Sequence, residues 1–214
     1  MTRYYATLAA TLAVGVALLQ PAAAHAATSD DELWVELSVK GKIAPGTDLK
    51  LEVETRRRDG PNEWIFGAEA NHDIAERVAL GGGVEVHEID GFTEVRPYQQ
   101  VTFDVGKLDF RSRIEERFFD DADQLALRFR QRARFTQPVG EATKAFASAE
   151  LLYQLRDRNE GGPKRIDQWR LNAGLTHRIG DIELTGGYLF QIRPRDGGNT
   201  RHTHVTQASL AYRF

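Results

Sequence analysis

Apolar and polar residues alternate with a period of two along most of the chain, beginning near Glu32. In the segment 33–40, Leu, Val or another apolar residue stands at every odd position and a polar or amphipathic residue at nearly every even one. Successive side chains of a β-strand point to opposite faces, so the pattern predicts strands with one apolar and one polar face. Residues typical of turns interrupt the alternation at intervals, which predicts a succession of antiparallel hairpins.

The alternating segments predict about eleven strands of about 10 to 13 residues each, enough to cross an outer membrane when tilted. We therefore expect an all-β protein, an antiparallel transmembrane up-and-down β-barrel of about ten to twelve strands with short periplasmic turns. Single-chain bacterial barrels have even strand numbers. An odd count means that one strand is split or missed, that the first strand lies outside the wall, or that the barrel closes through a parallel pair.

The predicted turns fall into two groups that would occupy opposite ends of the barrel. Tight turns near 45–46, 73, 105–106, 138–140 and 180–181 are assigned to the periplasmic end. The segments 58–63, 88–93, 119–123, 156–165 and 194–201 would then face outward. These outer segments have only about 5 to 10 residues, which argues against a large receptor surface.

The chain ends in Phe214, with Tyr212 and Leu210 on the same apolar face of its last strand. This arrangement resembles the C-terminal strand of bacterial outer-membrane barrels. The resemblance implies that the last strand is the signal read by the barrel assembly machinery, and that lipid and lipopolysaccharide surround the apolar face.

The first 26 residues fit a secretory signal peptide of the Sec pathway. Arg3 is followed by an apolar run over 6–19 and by the cleavage pattern Ala24-His25-Ala26, so we expect cleavage after Ala26. The run is about 14 residues long, shorter than the ~20 needed for a transmembrane helix. Residues 27–214 would form a single barrel domain. The chain has no cysteine and a net charge of −3, with acids among its basic residues. These features exclude thiolate chemistry and argue against nucleic-acid binding.

Periodicity alone does not separate a membrane barrel from a soluble ligand-binding barrel, whose apolar face points inward. Large aromatic residues recur near the predicted strand ends, as in the interfacial girdles of membrane barrels. They are Trp34, Trp64, Phe118, Tyr153, Trp169, Tyr188, Phe190 and Tyr212. An Arg facing lipid at mid-bilayer costs roughly 2–4 kcal/mol, so an arginine-rich strand must turn its charges to the lumen.

The predicted lumen is lined by charged side chains. The basic ones are Arg111, Arg113, Arg117, Arg128, Arg130, Arg132 and Arg134, and the acidic ones include Glu36, Glu52, Glu54, Glu69 and Glu85. Because buried charges must be paired, we favour a salt-bridged filling over an anion-selective lumen. The acidic strands and the basic strands would lie across the lumen from each other. If these two walls meet, the lumen is plugged, and if they stand apart, a narrow aqueous path remains.

Candidate chemical sites are few. His202 and His204 lie near Asp196, and His87 lies near Asp90, as an outer-rim hydrolase or a metal site would require. His202 and His204 fall on the lipid-facing register, however, and no Ser or Asp stands where it would act as a nucleophile or base. The acidic loop containing Asp120, Asp121 and Asp123 could bind Ca²⁺ or bridge to lipopolysaccharide phosphates. We expect no enzyme activity, catalytic residue, cofactor or resident metal.

The whole predicted mature chain resembles the DUF2490 family of Gram-negative outer-membrane proteins. The matching features are the strand opening Leu33-Trp34, the strand end with Glu52, Glu54, Arg56, Arg57 and Arg58, the arginine-rich strands from Arg111 to Arg134, and the closing Ala211-Tyr212-Arg213-Phe214. The resemblance implies an outer-membrane barrel and no particular activity. Together these features favour a structural or narrow-lumen barrel with a salt-bridged interior. The alternatives are a small-solute or anion channel, an outer-rim hydrolase and a soluble periplasmic ligand-binding barrel.

Overall fold

The computed structural model describes residues 29–194 and 200–214, and these residues form eleven β-strands. The predicted signal peptide 1–26 lies outside the described residues. The strands are β1 Ser29–Ala44, β2 Thr47–Arg58, β3 Glu63–Ala75, β4 Val78–Ile89, β5 Phe92–Val105, β6 Leu108–Phe119, β7 Ala126–Pro138, β8 Thr143–Arg156, β9 Arg165–Ile179, β10 Ile182–Arg193 and β11 Arg201–Arg213. The all-β prediction and the predicted number of strands are confirmed.

Consecutive strands pair antiparallel, and β1 and β11 pair to close the barrel. The closing pair is parallel, with Ser29 opposite His202 and Lys40 opposite Arg213. The predicted antiparallel arrangement therefore holds for every strand pair except this one. Of the three explanations for an odd strand count, the structure selects the parallel closure. As a consequence, β1 begins at the end of the barrel opposite to that at which β11 finishes.

The two ends of the barrel differ in their connections. At the tight-turn end, β1–β2, β3–β4, β5–β6 and β9–β10 are joined by two residues each, and β7–β8 by four. Gly46, Gly106, Gly180 and Arg77 adopt positive φ in these two-residue turns. At the opposite loop end, the connections span 59–62, 90–91, 120–125, 157–164 and 194–200. The predicted outward segment 88–93 is thus mostly strand, with only Asp90 and Gly91 between β4 and β5.

Apolar side chains cover the outside of the barrel, and polar or charged side chains fill the inside. On β1, Leu37 is 57% exposed on the outer wall, whereas Trp34 and Ser38 are each 6% exposed and point inward. Large apolar residues are exposed on the same outer wall along the other strands, including Leu51, Phe66, Leu171 and Leu210. A soluble barrel would have the opposite arrangement, with its apolar face inside. Within 29–194 and 200–214, no helix is long and apolar enough to cross a lipid bilayer.

The parallel seam predicts a specific disulfide cross-link. Val35 and Ala208 are partners across β1 and β11, and Cα atoms about 4.4–6.8 Å apart can be bridged by a disulfide. The native chain has no cysteine, so Val35→Cys combined with Ala208→Cys introduces the only two thiols. Mild oxidation of the folded barrel should join them, as a shift on a non-reducing gel would show. Val35→Cys with Leu210→Cys, two residues out of register, is the matched control. Equal cross-linking of both pairs would contradict this seam.

Candidate functional site: the charged interior

The structure places the charged residues of the predicted lumen on the inner face of the barrel. Most of them are buried or half-buried there and lie in ion pairs with residues of neighbouring or facing strands. This inner set comprises Glu36, Glu52, Glu54, Glu69, Glu85, Arg111, Arg113, Arg117, Arg128, Arg130, Arg132 and Arg134. The strand alternation positions them, because every second residue of these strands must point inward.

The most deeply buried carboxylate of the arginine-rich strands belongs to Glu115, whose side chain is 0% exposed. Its oxygens lie 2.6 Å from Arg128 and 2.7 Å from Arg130, which are charge-assisted hydrogen bonds. Arg130 also donates to Glu150 on β8 at 2.9 Å, and Arg128 reaches Asp167 at 3.2 Å. Each partner thus has a second partner, as a stable buried network of charges requires.

A second group of ion pairs bridges the acidic and basic strands across the interior. Glu85 of β4 accepts from Arg96 at 3.1 Å and from Arg113 of β6 at 3.0 Å. Arg113 also reaches Glu69 of β3 at 2.9 Å, and its guanidinium lies 3.6 Å over the Tyr98 ring. The Tyr98 ring fits because Gly83 leaves space where a Cβ would approach its hydroxyl to 2.5 Å. In this part of the barrel, the two charged walls meet.

His87 is completely buried between two carboxylates. Its Nδ1 lies 2.6 Å from Glu63 and its Nε2 lies 3.0 Å from Glu85. Each ring nitrogen thus lies within hydrogen-bonding distance of a carboxylate. The structure separates the candidate pair His87 and Asp90, because alternation turns His87 inward while Asp90 accepts from the backbone N–H of Asn62 in the loop.

Trp34 closes the ring of contacts. The guanidinium of Arg56 lies 3.9 Å over its ring and that of Arg170 lies 5.4 Å from it, both within cation–π range. Its assignment to an interfacial girdle is wrong, because Trp34 packs inside the barrel against Leu189 and Val205.

With Trp34 included, the contacts form a ring that runs from β1 to β9 and back to β1. We call this ring the contact belt, which consists of Trp34, Arg56, Glu63, His87, Glu85, Arg113, Glu115, Arg130, Glu150 and Arg170.

Between the contact belt and the tight-turn end lies a cavity of about 620 Å³. Toward the loop end the interior is filled instead, with His87, Glu94, Gln168 and Thr203 each no more than 5% exposed. Around the cavity, the charged walls stand apart. One side of the cavity is mainly acidic, formed by Glu36, Asp48, Glu52, Asp73 and Asp104, with Lys50 and Arg77 among them. The other side is basic, and we call it the arginine cluster: Arg111, Arg132, Arg134 and Arg170. The two alternatives for the walls therefore hold in different halves of one barrel.

The remaining candidate sites are dispersed. His202 and His204 point outward, as the register predicts, and pack against the Phe190 ring at 5.5 and 5.2 Å between centroids. Asp196 lies outside the described residues. In the acidic loop, Asp120 accepts from the backbone of Thr93 and Asp121 pairs with Arg158. Across the residues that the structure describes, no group of three or more His, Asp or Glu side chains is placed to hold a metal ion.

Sequence reasoning missed several interior residues that carry the network. Glu150, Arg96 and Arg170 all belong to inward registers, but Glu150 and Arg170 have uncharged residues on both sides along their strands, and Arg96 has only one charged neighbour, Glu94, beside it on the inner face of β5. The alternation was a sufficient signal for all three, since each occupies the face opposite to the apolar side chains. Only the partners across strands were inaccessible to a one-dimensional pattern.

Comparison with known proteins agrees with this architecture. A KdgM porin of known structure superposes with a TM-score of 0.52, covering 78% of this chain and 84% of that chain at 14% identity, which shows a shared fold. An uncharacterised protein of Methylorubrum extorquens is 23% identical over 206 residues, 86% of this chain and 88% of its own length. The family described as "Protein of unknown function (DUF2490)" matches residues 31–202. The resemblance found in the sequence is thereby confirmed, and the chain belongs to the DUF2490 family.

Proposed function

We propose that this protein is an integral outer-membrane β-barrel whose paired interior charges close the lumen, so that it acts as a structural element of the cell envelope. The contact belt carries this proposal, because it joins residues of eight strands across the space that an open pore would need. The ion pairs of the contact belt give its buried charges partners and brace the wall from within.

The apolar outer wall of the barrel supports a location in the membrane. Its outer wall exposes Leu, Val and Phe side chains, and closure leaves no unpaired strand edge in the wall. Export through the predicted Sec signal peptide would deliver the chain to the periplasm. The tight-turn end would then face the periplasm and the loop end the outside, where lipopolysaccharide would surround it. We assign no catalytic role.

A second candidate function is a small-solute or anion channel. The observation that favours it is the cavity, which already occupies one half of the lumen. Opening of the ion pairs between the cavity and the loop end would complete an aqueous path. We favour the structural role over the channel because these ion pairs are short and buried.

Cell fractionation tests the proposed location. The protein should sediment with the outer membrane and resist extraction by carbonate. Because a closed barrel satisfies its backbone hydrogen bonds internally, an unboiled sample should migrate differently from a boiled one on SDS gels. Recovery of the folded protein in the soluble periplasmic fraction would contradict the proposal and favour a soluble ligand-binding barrel.

A further inference from the structure

The two sides of the cavity carry opposite excess charge. Among the residues that the structure describes, the four guanidinium groups of the arginine cluster have only two carboxylate partners, Asp109 and Glu150, and Glu150 is shared with Arg130. On the acidic side, Glu36 and Glu52 share Lys50. Asp48, Asp73 and Asp104 have no basic side chain within 4.0 Å among residues 29–194 and 200–214. The cavity is therefore strongly polarised from one side to the other.

The arginine cluster has more donors than the protein satisfies. The Nε atoms of Arg111, Arg132 and Arg170 are buried and have no hydrogen-bond partner among the residues that the structure describes. Arg134 has no acidic partner within 4.0 Å in the part of the chain that the structure describes, and its guanidinium lies 4.0 Å over the Phe146 ring instead. Buried donors normally have partners, so this excess points to an acceptor supplied from outside the chain.

A single charge would suit only one side of this cavity. An anion would gain from the arginine cluster but would face the carboxylates of Asp48, Asp73 and Asp104, and a cation would have the converse difficulty. A molecule carrying both charges satisfies both sides and is oriented by them. The volume of about 620 Å³ lies within the range of small-molecule sites, about 300–1,000 Å³.

We propose that the cavity is a binding site for a small zwitterion. Its anionic group contacts Arg132 and Arg134, and its cationic group lies toward Asp48 and Asp104. The molecule enters from the tight-turn end, where the acidic residues adjoin the turns. Ser148 and Asn172, which also line the cavity, provide hydrogen-bonding groups beside the arginine cluster.

Triglycine is a suitable probe, because its two termini carry opposite charges and each can be capped separately. Trp34 lines the cavity, whereas Trp64 and Trp169 lie on the outer wall and are 43% and 39% exposed. A barrel with Trp64→Phe and Trp169→Phe therefore reports on the cavity by the fluorescence of Trp34. The measurement uses the purified barrel in detergent, so it does not depend on the cellular location.

Triglycine should change the Trp34 fluorescence saturably. N-acetyl-triglycine and triglycine amide, which each lack one charge, should bind at least tenfold more weakly. Arg134→Gln and Asp48→Asn should each weaken triglycine binding about tenfold, because each removes a charge that the proposed site offers to the ligand. Neither substitution leaves a charged partner unpaired, so neither should disturb the interior ion pairs. Lys164→Gln and Glu160→Gln, exposed at the loop end, are the matched charge controls and should leave binding unchanged. No saturable response, or equal binding of triglycine and a capped form, would overturn the proposal.

Discussion

Glu115→Ala should destabilise the barrel more than any substitution of an exposed acid. It removes the shared partner of Arg128 and Arg130 at a position that is 0% exposed. Breaking a buried ion pair by removing one partner costs about 3–5 kcal/mol, because the remaining charge stays buried. Urea unfolding of the barrel in lipid vesicles, followed by the loss of the fast-migrating gel form, would measure the change in the free energy of unfolding.

Asp109→Ala is the matched control for this prediction. Asp109 also binds an arginine, Arg132 at 2.5 Å, but its side chain is 29% exposed. Water can replace the lost partner there, so we expect a cost of about 1 kcal/mol or less. If Glu115→Ala proved no more destabilising than Asp109→Ala, the belt would not be a buried network in the sense described here.

Phe214→Ser should sharply reduce the amount of folded protein in the outer membrane. We propose that Phe214, with Tyr212 and Leu210, is the assembly signal, and the structure adds a second reason for its importance. The Phe214 ring lies over Gly41 of β1, where an added Cβ would approach ring atoms to 2.8 Å. The backbone N–H of Phe214 donates to the carbonyl oxygen of Lys40. The same residue therefore also holds the end of the parallel seam. Immunoblots of heat-modifiable protein in membrane fractions would give the folded amount.

Two further variants separate these roles. Leu37→Ser lies on the same outer wall, 57% exposed but away from the terminus, and should have a far smaller effect. Gly41→Val keeps the terminal sequence but displaces both the backbone oxygen and the ring of Phe214, so it should weaken the seam without removing the residues of the signal. A loss with Leu37→Ser as large as with Phe214→Ser would reduce Phe214 to ordinary contact with lipid.

The strand pattern of this protein could be predicted from sequence because alternation is a local property. The inward positions of Arg111 and Arg130, for example, follow from the period of two and from the cost of an arginine in lipid. The parallel closure could not be predicted, since it depends on which strands meet after ten hairpin steps. Only the register between β1 and β11 decides it, and that register is not encoded in either strand alone.

The interior illustrates the same limit. Alternation places Trp34 and His87 on the inner face, yet general expectations about aromatic girdles and rim sites suggested other positions for both. The partner of Trp34, Arg170, meets it only because the barrel closes, and the partner of His87, Glu63, lies on the neighbouring strand β3. The division of the lumen into a filled half and a cavity likewise depends on these three-dimensional contacts.

Conductance across a planar lipid bilayer would show whether the contact belt closes the lumen. Insertion is first verified by flotation of the same protein with vesicles. The native barrel should then show no steady conductance, whereas Glu115→Ser combined with Arg130→Ser, which removes both members of a 2.7 Å pair, should show discrete openings. A steady conductance from the native barrel would contradict the closed interior and establish a channel instead.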